Sequence, residues 1–386
     1  MNFDTVVVGG GIIGCTLGYF LGKRGQKVAV VERGPLAGGT SARNFSWVNA
    51  TSKTANANYH HLNALGVAGY DDLVEALGAT ALGVRETGSL GVTRAGDKAA
   101  TAVLHQQATA LERLGYACRW IDRAELGALE PGLTFAEDAQ ALLAPRDKVL
   151  NAPVFTRAMA AEIRRLDGKV FENCAALGLD ADDNGVVKGI ETALGPMGAG
   201  NVVVAAGPDT PEVLSDLTGY DAFATRFPVG KVPGLLVTTP PVPEGMLHHL
   251  VYTDCGGEFH FFPDFNGGLR LGSDVADGVV AEDGSPDTLR AQARMMLQRM
   301  QDIAPWFGGA ELLDACRLDI GIRAYPEDGL SIIDALPGAE GLFVVATHSG
   351  VTLAPAIGAL MAEFITTQAR PAALAPFTLA RFPGFG

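Results

Sequence analysis

Residues 6–34 read VVVGGGIIGCTLGYFLGKRGQKVAVVERG, and no other stretch of the chain restricts its fold so tightly. An apolar run, Val6 to Val8, meets glycines at 9, 11 and 14 in GxGxxG spacing, then a helix-like stretch, then a second apolar run that stops at Glu32. That order describes a buried strand turning into a helix and returning as a parallel strand. Gly9 permits the tight turn, Gly11 omits a Cβ that would stand between backbone and ligand, and Gly14 lets helix and strand approach. The helix N-terminus, with unpaired N–H groups and the positive end of its dipole, then faces phosphates. Lys23, Arg24 and Gly25 have the character of the last turn and its cap. Glu32 ends the Val28–Val31 strand 18 residues after Gly14, where a carboxylate accepts hydrogen bonds from both hydroxyls of an adenosine ribose. Glycine spacing alone would suit plain strand–helix packing. Strand, turn, helix, strand and acid together indicate a dinucleotide.

The same run is not read as a targeting or membrane segment. No basic region precedes it, Asp4 lies just before it, and its glycines suit a hydrophobic span poorly. With 386 residues, 48% of them hydrophobic, the chain has material for two domains with sizeable cores. A net charge of −14 argues against nucleic acid and against anionic membrane surfaces. Five scattered cysteines, Cys15, Cys118, Cys174, Cys255 and Cys316, form no CxxC and suit a reducing cytoplasm, with no disulfide framework and no metal site. His60–His61 and His248–His249 have no acidic or cysteine partner at ligand spacing and read as surface or packing residues.

Helical periodicity appears near Tyr59 to Leu77, Ala99 to Leu114, Pro153 to Leu166, Thr288 to Ile303 and Pro355 to Ile365. Strand-like runs cover Leu90 to Thr93, Val202 to Ala205, Leu235 to Thr238, Glu258 to Phe262, Leu269 to Gly272 and Leu342 to Ala346. EFHFFPDFNGGLRLG reads as two antiparallel strands joined around Asn266-Gly267-Gly268, its pleat placing Phe259 and Phe261 on one face and His260 and Phe262 on the other. NVVVAAGPDT and GLFVVATHSGVTLAPAIGALMAEFI suit parallel strands whose carboxyl ends face a ligand. Nucleotide-type elements are therefore dispersed, with antiparallel strands between them. The fold class is α/β and α+β: a discontinuous Rossmann-like domain with an inserted antiparallel-sheet domain. The boundaries are 1–85, 145–220 and 325–386 for the first, and 86–144 and 221–324 for the second.

These segments together resemble the D-amino acid oxidase superfamily, the flavoenzymes that include glycine oxidase, sarcosine oxidase and D-amino acid dehydrogenase. The resemblance rests on the opening glycine motif, GGTSARN, ELGALEPGL, VVVAAG, GIRAYPEDGLSIID, the closing strand, loop and helix, and LARF, and it covers most of the chain. It implies noncovalent FAD, with Gly9, Gly11, Gly14 and Glu32 on the ADP half, Arg33 near the adenine ribose, and Ala206 and Gly207 of VVVAAG at the same site. Thr40, Ser41, Arg43 and Asn44 would line the flavin side; read from the residues alone they are a polar loop capping a helix. His348, Ser349, Gly350, Val351 and Thr352 would lead into a helix whose N-terminus meets the flavin pyrimidine edge, which becomes negative on reduction.

Arg323 matches the arginine that holds a substrate carboxylate in the glycine and D-amino acid oxidase branches, a use suited to its planar, two-pronged donor. The competing expectation is a buried arginine paired to Asp319 or Glu327. His260 falls where amine-oxidising relatives carry a tyrosine on the substrate side, and it either bonds substrate or packs in the sheet. Three departures stand out. HSGVT replaces G-H-x-x-x-G; Arg270 replaces the lysine associated with oxygen reactivity in the sarcosine-oxidase branch; and no cysteine occupies the position of covalent flavin attachment, Cys316 lying too far upstream.

The implied reaction is oxidation of the C–N bond of a small amino or imino acid, such as a D-amino acid, glycine, sarcosine or an N-substituted glycine. Hydride passes to flavin N5, the imine hydrolyses, and oxygen or a quinone accepts the electrons. Two alternatives stay open: a flavin subunit of a multi-protein opine- or sarcosine-type dehydrogenase, dependent on a partner subunit, and a same-fold enzyme acting on a hydroxy acid.

Overall fold

The computed structural model describes residues 1–253 and 259–385, so Cys255 and Glu258 lie outside the described residues. Its first sheet has eight strands. Asn2–Val8 lies at the centre, parallel to Met197–Val204 on one side and Val28–Val31 on the other. Lys169–Phe171 extends it in parallel beyond Val28–Val31, and Leu342–Ala346 pairs in parallel with Met197–Val204. Ala176–Ala181, Val187–Thr192 and Ile332–Ala335 join antiparallel. The central strands are apolar on both faces because both are covered. Val7, Val30, Val203 and Val345 point into a core shared with helices, while Val6, Val31, Val202 and Val344 point into the opposite core.

Four helices pack in the first core. Ile12–Lys23 packs between Ala152–Arg165 and Gly350–Thr367, and the last of these also packs on Ala57–Leu77. Small residues make these approaches possible: a Cβ at Gly18 would lie 2.7 Å from Ile163 Cδ1, and one at Gly66 2.2 Å from the Thr352 carbonyl oxygen. Gly350–Thr367 is long and apolar enough to cross a membrane, with hydropathy 1.4, but 61% of it is buried within this protein, as in the core helix of a globular fold. Pro355 interrupts its hydrogen-bond ladder by lacking an N–H. The carbonyl thus released, that of Val351, instead accepts the Tyr70 hydroxyl at 2.6 Å.

The second sheet also has eight strands, in the order Arg317–Pro326, Val229–Thr238, Leu269–Gly272, Phe259–Pro263, Leu250–Thr253, Ser89–Arg94, Ala139–Ala144 and Arg119–Ile121. Neighbours are antiparallel except Leu250–Thr253 with Ser89–Arg94. The expected hairpin is present, and Gly267 supplies its turn with a φ of +84°. Phe259 and Phe261 enter the core beneath Pro286–Ile303, whereas Phe262 and His260 face Phe45 on the other side. Between the two sheets, Trp47–Val48, Lys148–Leu150 and Val84–Arg85 form a small third sheet.

The histidine pairs acquire partners that lie far away in sequence. His60 is buried edge-on against Tyr116. Glu130, fully buried, accepts the backbone N–H of His248 and of His249 and sits 2.7 Å from His249 Nδ1. No acid lies at ligand spacing from His249 in the sequence; the one it meets arrives by tertiary packing across 119 residues.

Candidate active site

A cavity of about 1490 Å³ opens along the carboxyl ends of the parallel strands and continues to the inner face of the second sheet. It exceeds the roughly 300–1,000 Å³ usual for a small-ligand site. One end is made mostly of backbone. Gly9 has φ +120°, and a Cβ there would stand 2.4 Å from the Ala205 carbonyl oxygen. A Cβ at Gly14 would fall 1.9 Å from the Gly9 carbonyl oxygen, so the third glycine brings helix onto turn. At Gly11 a Cβ would meet, among the described residues outside its own turn and helix, Ser41 Oγ alone, at 3.2 Å, leaving that face of the turn to the cavity. No acidic side chain occupies the first turn of Ile12–Lys23, so its N-terminal field is available to an anion.

Glu32 stands at this end with both oxygens engaged by backbone: Oε2 accepts Gly10 N–H at 2.7 Å and Oε1 accepts Gly34 N–H at 2.9 Å. Each oxygen keeps a second lone pair for a ligand. Gly10, unremarked in the sequence reading, is as constrained as its neighbours, since a Cβ there would meet Glu32 Cβ at 2.7 Å. Arg33 is mostly exposed and, with Lys231, clasps Asp209 at 2.5 and 2.7 Å. Ala206 and Gly207, the latter at φ +60°, line the same wall.

The polar loop Thr40–Asn44 joins the two ends. Ser41 Oγ accepts the Ile12 N–H at 2.9 Å, capping a helix that has no side-chain cap of its own. Asn44 Nδ2 donates to the Thr40 and Ser41 carbonyls, and Arg43 Nη1 to that of Gly38. Thr40 Oγ1 donates to the Ile322 carbonyl at 2.5 Å, tying the loop to the second sheet. A Cβ at Gly321 would stand 1.9 Å from the Arg43 carbonyl oxygen, so loop and strand meet backbone to backbone. All four predicted residues of this loop line the cavity, as do Ser349, Gly350, Val351 and Thr352 at the start of Gly350–Thr367. Thr352 Oγ1 accepts Asn49 N–H and donates to the Trp47 carbonyl.

At the other end side chains dominate. Arg323 faces the cavity from Arg317–Pro326, its Nη2 donating to Asp277 Oδ2 at 2.9 Å and to the Pro233 carbonyl at 3.2 Å. The expected alternatives, Asp319 and Glu327, are not its partners; Asp319 pairs with Arg317. Asp277 comes from the helix Asp274–Glu282, and its second oxygen accepts Leu235 N–H. Burial pushes the Asp277 carboxyl up to about 6, against the pull of Arg323. His348 stacks on Tyr325 with centroids 4.6 Å apart, and its Nδ1 is buried without a hydrogen bond among the described residues. Burial, then the nearby Lys53 and Arg323 charges, depress this imidazole to about 3, so it stays neutral at ordinary pH. His260 packs edge-on against Phe45 at 4.1 Å while still lining the cavity.

Arg270 departs from its expected place. Its guanidinium donates to the Asn44 carbonyl at 2.9 Å and to Asp264 at 3.1 Å, and it is not among the residues lining the cavity. The pleat sets Arg270 on the same face as its cross-strand partner Phe262 and as His260, so it is the Asn44 carbonyl and the buried Asp264, not the pleat, that hold its guanidinium beside the cavity rather than on its wall.

Sequence reasoning missed Asp277, Asp274 and Lys53, all on the cavity wall, and the buried Asp147 behind it. Asp147 accepts Trp47 Nε1, Thr51 Oγ1, Ser89 Oγ and Tyr116 Oη, and burial raises its carboxyl to about 6 even so. None of these acids has a spacing signal, because each partner comes from a remote segment. Among the described residues no three His, Cys, Asp or Glu side chains gather as a metal seat.

Comparison with known proteins gives a consistent pattern. The profile of the family described as FAD dependent oxidoreductase (DAO) matches residues 4–364. Glycine oxidase of Geobacillus kaustophilus is 26% identical, with 99% of this chain and 98% of that protein aligned. D-amino acid dehydrogenase of Methylobacterium nodulans is 25% identical over 94% of this chain and 95% of its own length. In three dimensions the L-proline dehydrogenase of P. horikoshii superimposes with a TM-score of 0.81 at 21% identity, covering 98% of this chain and 97% of that one.

Proposed function

This chain belongs to the DAO family of FAD-dependent oxidoreductases, and from that premise we propose that it oxidises the C–N bond of a small amino or imino acid. The observation that carries the reading is Arg323, a guanidinium held by Asp277 in the same cavity as the glycine cradle. Its Nη1 makes no hydrogen bond among the described residues, which leaves part of the donor fork for a carboxylate.

The residues present fit FAD. Gly9 and Gly11 would bring backbone to the pyrophosphate, Glu32 would take the ribose hydroxyls, and the loops Thr40–Asn44 and 348–352 would flank the flavin. Bound FAD supplies the acceptor for the hydride that the substrate α-carbon releases. The protein's part is aim. Arg323 fixes the carboxylate, Asp277 fixes Arg323, and such positioning supplies up to roughly 7–11 kcal/mol. His348 adds a wall that stays neutral at ordinary pH and packs on Tyr325; with the amine bound in its uncharged form, no dedicated base is needed. Cys316 is not on the cavity wall, in keeping with noncovalent FAD. Oxygen or a quinone takes the electrons.

The test is an anaerobic screen of amino, imino, N-substituted and hydroxy acids against the yellow holoenzyme. Bleaching by amino or imino acids, with FAD released into the supernatant on denaturation, is expected. Bleaching by hydroxy acids alone would overturn the reading.

A further inference from the structure

One cation at the reaction end is not used by the proposed chemistry. Lys53 lies on the cavity wall in the turn before Ala57–Leu77. That turn is pinned on every side: Ser52 donates twice to Asn49 Oδ1, Thr51 Oγ1 donates to Asp147, Gln107 Nε2 donates to the Thr51 carbonyl, and Asn49 N–H is held by Thr352. The loop is thus fixed in place while the group at its tip is left open. Lys53 Nζ forms no ion pair or hydrogen bond among the described residues. Its surroundings desolvate it, and burial lowers its pKa, with Arg323 adding to that effect and Asp274 opposing it. A half-buried ammonium that faces a cavity without a partner is a ready counter-charge for an anion that enters it.

We propose that Lys53 seats a second acid group of the substrate, so that this protein acts on amino or imino acids bearing two carboxylates, one held by Arg323 and the other by Lys53. This rests on the assignment of Arg323 as a carboxylate clamp. The pyrophosphate is not the anion in question. It belongs to the Gly9–Gly14 turn, whereas the charges that Lys53 senses, Arg323 and Asp274, and the imidazole it acts on, His348, line the reaction end. Asp274 acts on the ammonium through its charge and forms no ion pair with it among the described residues.

The holoenzyme is titrated with the unreactive acids succinate and glutarate against acetate and propionate, following the flavin absorbance, in wild type, Lys53→Met and Lys53→Arg. The diacids are expected to bind about tenfold or more tighter in wild type. Lys53→Met should collapse that ratio toward one, and Lys53→Arg should restore part of it. Anaerobic bleaching by aspartate, glutamate and iminodiacetate should outpace that by alanine and proline. Equal weakening of both acid classes would make Lys53 a second hand on the same carboxylate; an unchanged ratio would make it a solvated surface charge; an altered FAD reduction potential with acid binding intact would assign it to the cofactor. Each of these overturns the proposal. If Lys53→Met loses FAD, the ratio in wild type and Lys53→Arg still decides. Oxidation of monocarboxylates without diacid preference would remove only the Lys53 seat, whereas no bleaching by any amino or imino acid would remove the reading beneath it.

Discussion

The two ends of the cavity are built from different materials. At the nucleotide end the wall is mostly main chain, shaped by positions where a side chain is sterically impossible, as at Gly9 and Gly14. At the reaction end it is side chains, Arg323, Asp277, Lys53 and His348, drawn from four segments that meet only in the folded protein. Backbone cradles resist substitution and tolerate little variety; side-chain clusters can be exchanged without rebuilding the scaffold. Substitutions should therefore separate the two ends by what they destroy.

The largest effect is expected at Gly14. Gly14→Ala sets a Cβ against the Gly9 carbonyl, where neither backbone segment can yield, and should destabilise the fold by about 3 kcal/mol while abolishing FAD retention. A thermal melt and a flavin count on the purified variant read both; a yellow variant with a normal melt would break the contrast. Arg323→Ala should do the reverse, retaining FAD and most of the stability while weakening substrate by about 1.5–3 kcal/mol, one to two decades, with a further rate penalty from lost aim. The fold is cushioned because Asp277, already raised to about 6, takes up a proton more readily than a stranded carboxylate of ordinary acidity would. Arg323→Lys should recover only part of the loss, the ammonium lacking the planar fork. Flavin reduction by stopped flow measures both variants, and an early-melting Arg323→Ala that still reduces flavin at the wild-type rate would remove Arg323 from the site.

Glu32→Gln sharpens the comparison more gently. It keeps one acceptor oxygen but loses the charge shared among Gly10 N–H, Gly34 N–H and the ribose, and should weaken FAD about tenfold with turnover at saturating FAD preserved. The effect at His348 depends on pH. The unfolded imidazole takes a proton near 6.5, whereas the folded one refuses it until about 3, so native stability is lost as pH falls through that window. Asp147 and Asp277, raised to about 6, act in the opposite sense, gaining stability as pH falls from about 6 toward 3.8, but they are common to wild type and His348→Phe and cancel in the difference. His348→Phe should therefore melt progressively better relative to wild type from pH 7 to pH 4. A pH-independent difference would show that the imidazole titrates normally.

The same contrast explains what was legible beforehand. The strands and helices flanking the glycine motif, the Asn266–Gly268 hairpin and the loop Thr40–Asn44 were readable because period, turn chemistry and spacing are local. The Arg323 partner was not. Asp319 and Glu327 are its neighbours in sequence, but Asp277 reaches it from a helix 46 residues away. Arg270 misled for a related reason: its position in the strand is local information, while Asn44 and Asp264, which hold its guanidinium, are tertiary. Lys53 carried no pattern at all, since a lysine in a polar turn looks solvated until Asp147, Gln107 and Thr352 are seen to pin that turn against a cavity.

The first sheet begins with Asn2–Val8, yet the strand that completes its parallel core is Leu342–Ala346, and the helix that flanks the cavity after it starts at Gly350. On a ribosome the glycine turn emerges hundreds of residues before the elements that close it, so its apolar strands must wait through the synthesis of the entire second sheet. Nascent chains of this protein should accordingly be clients of holding chaperones, and cofactor capture should be a late event, coincident with release rather than with the birth of the motif that recognises it.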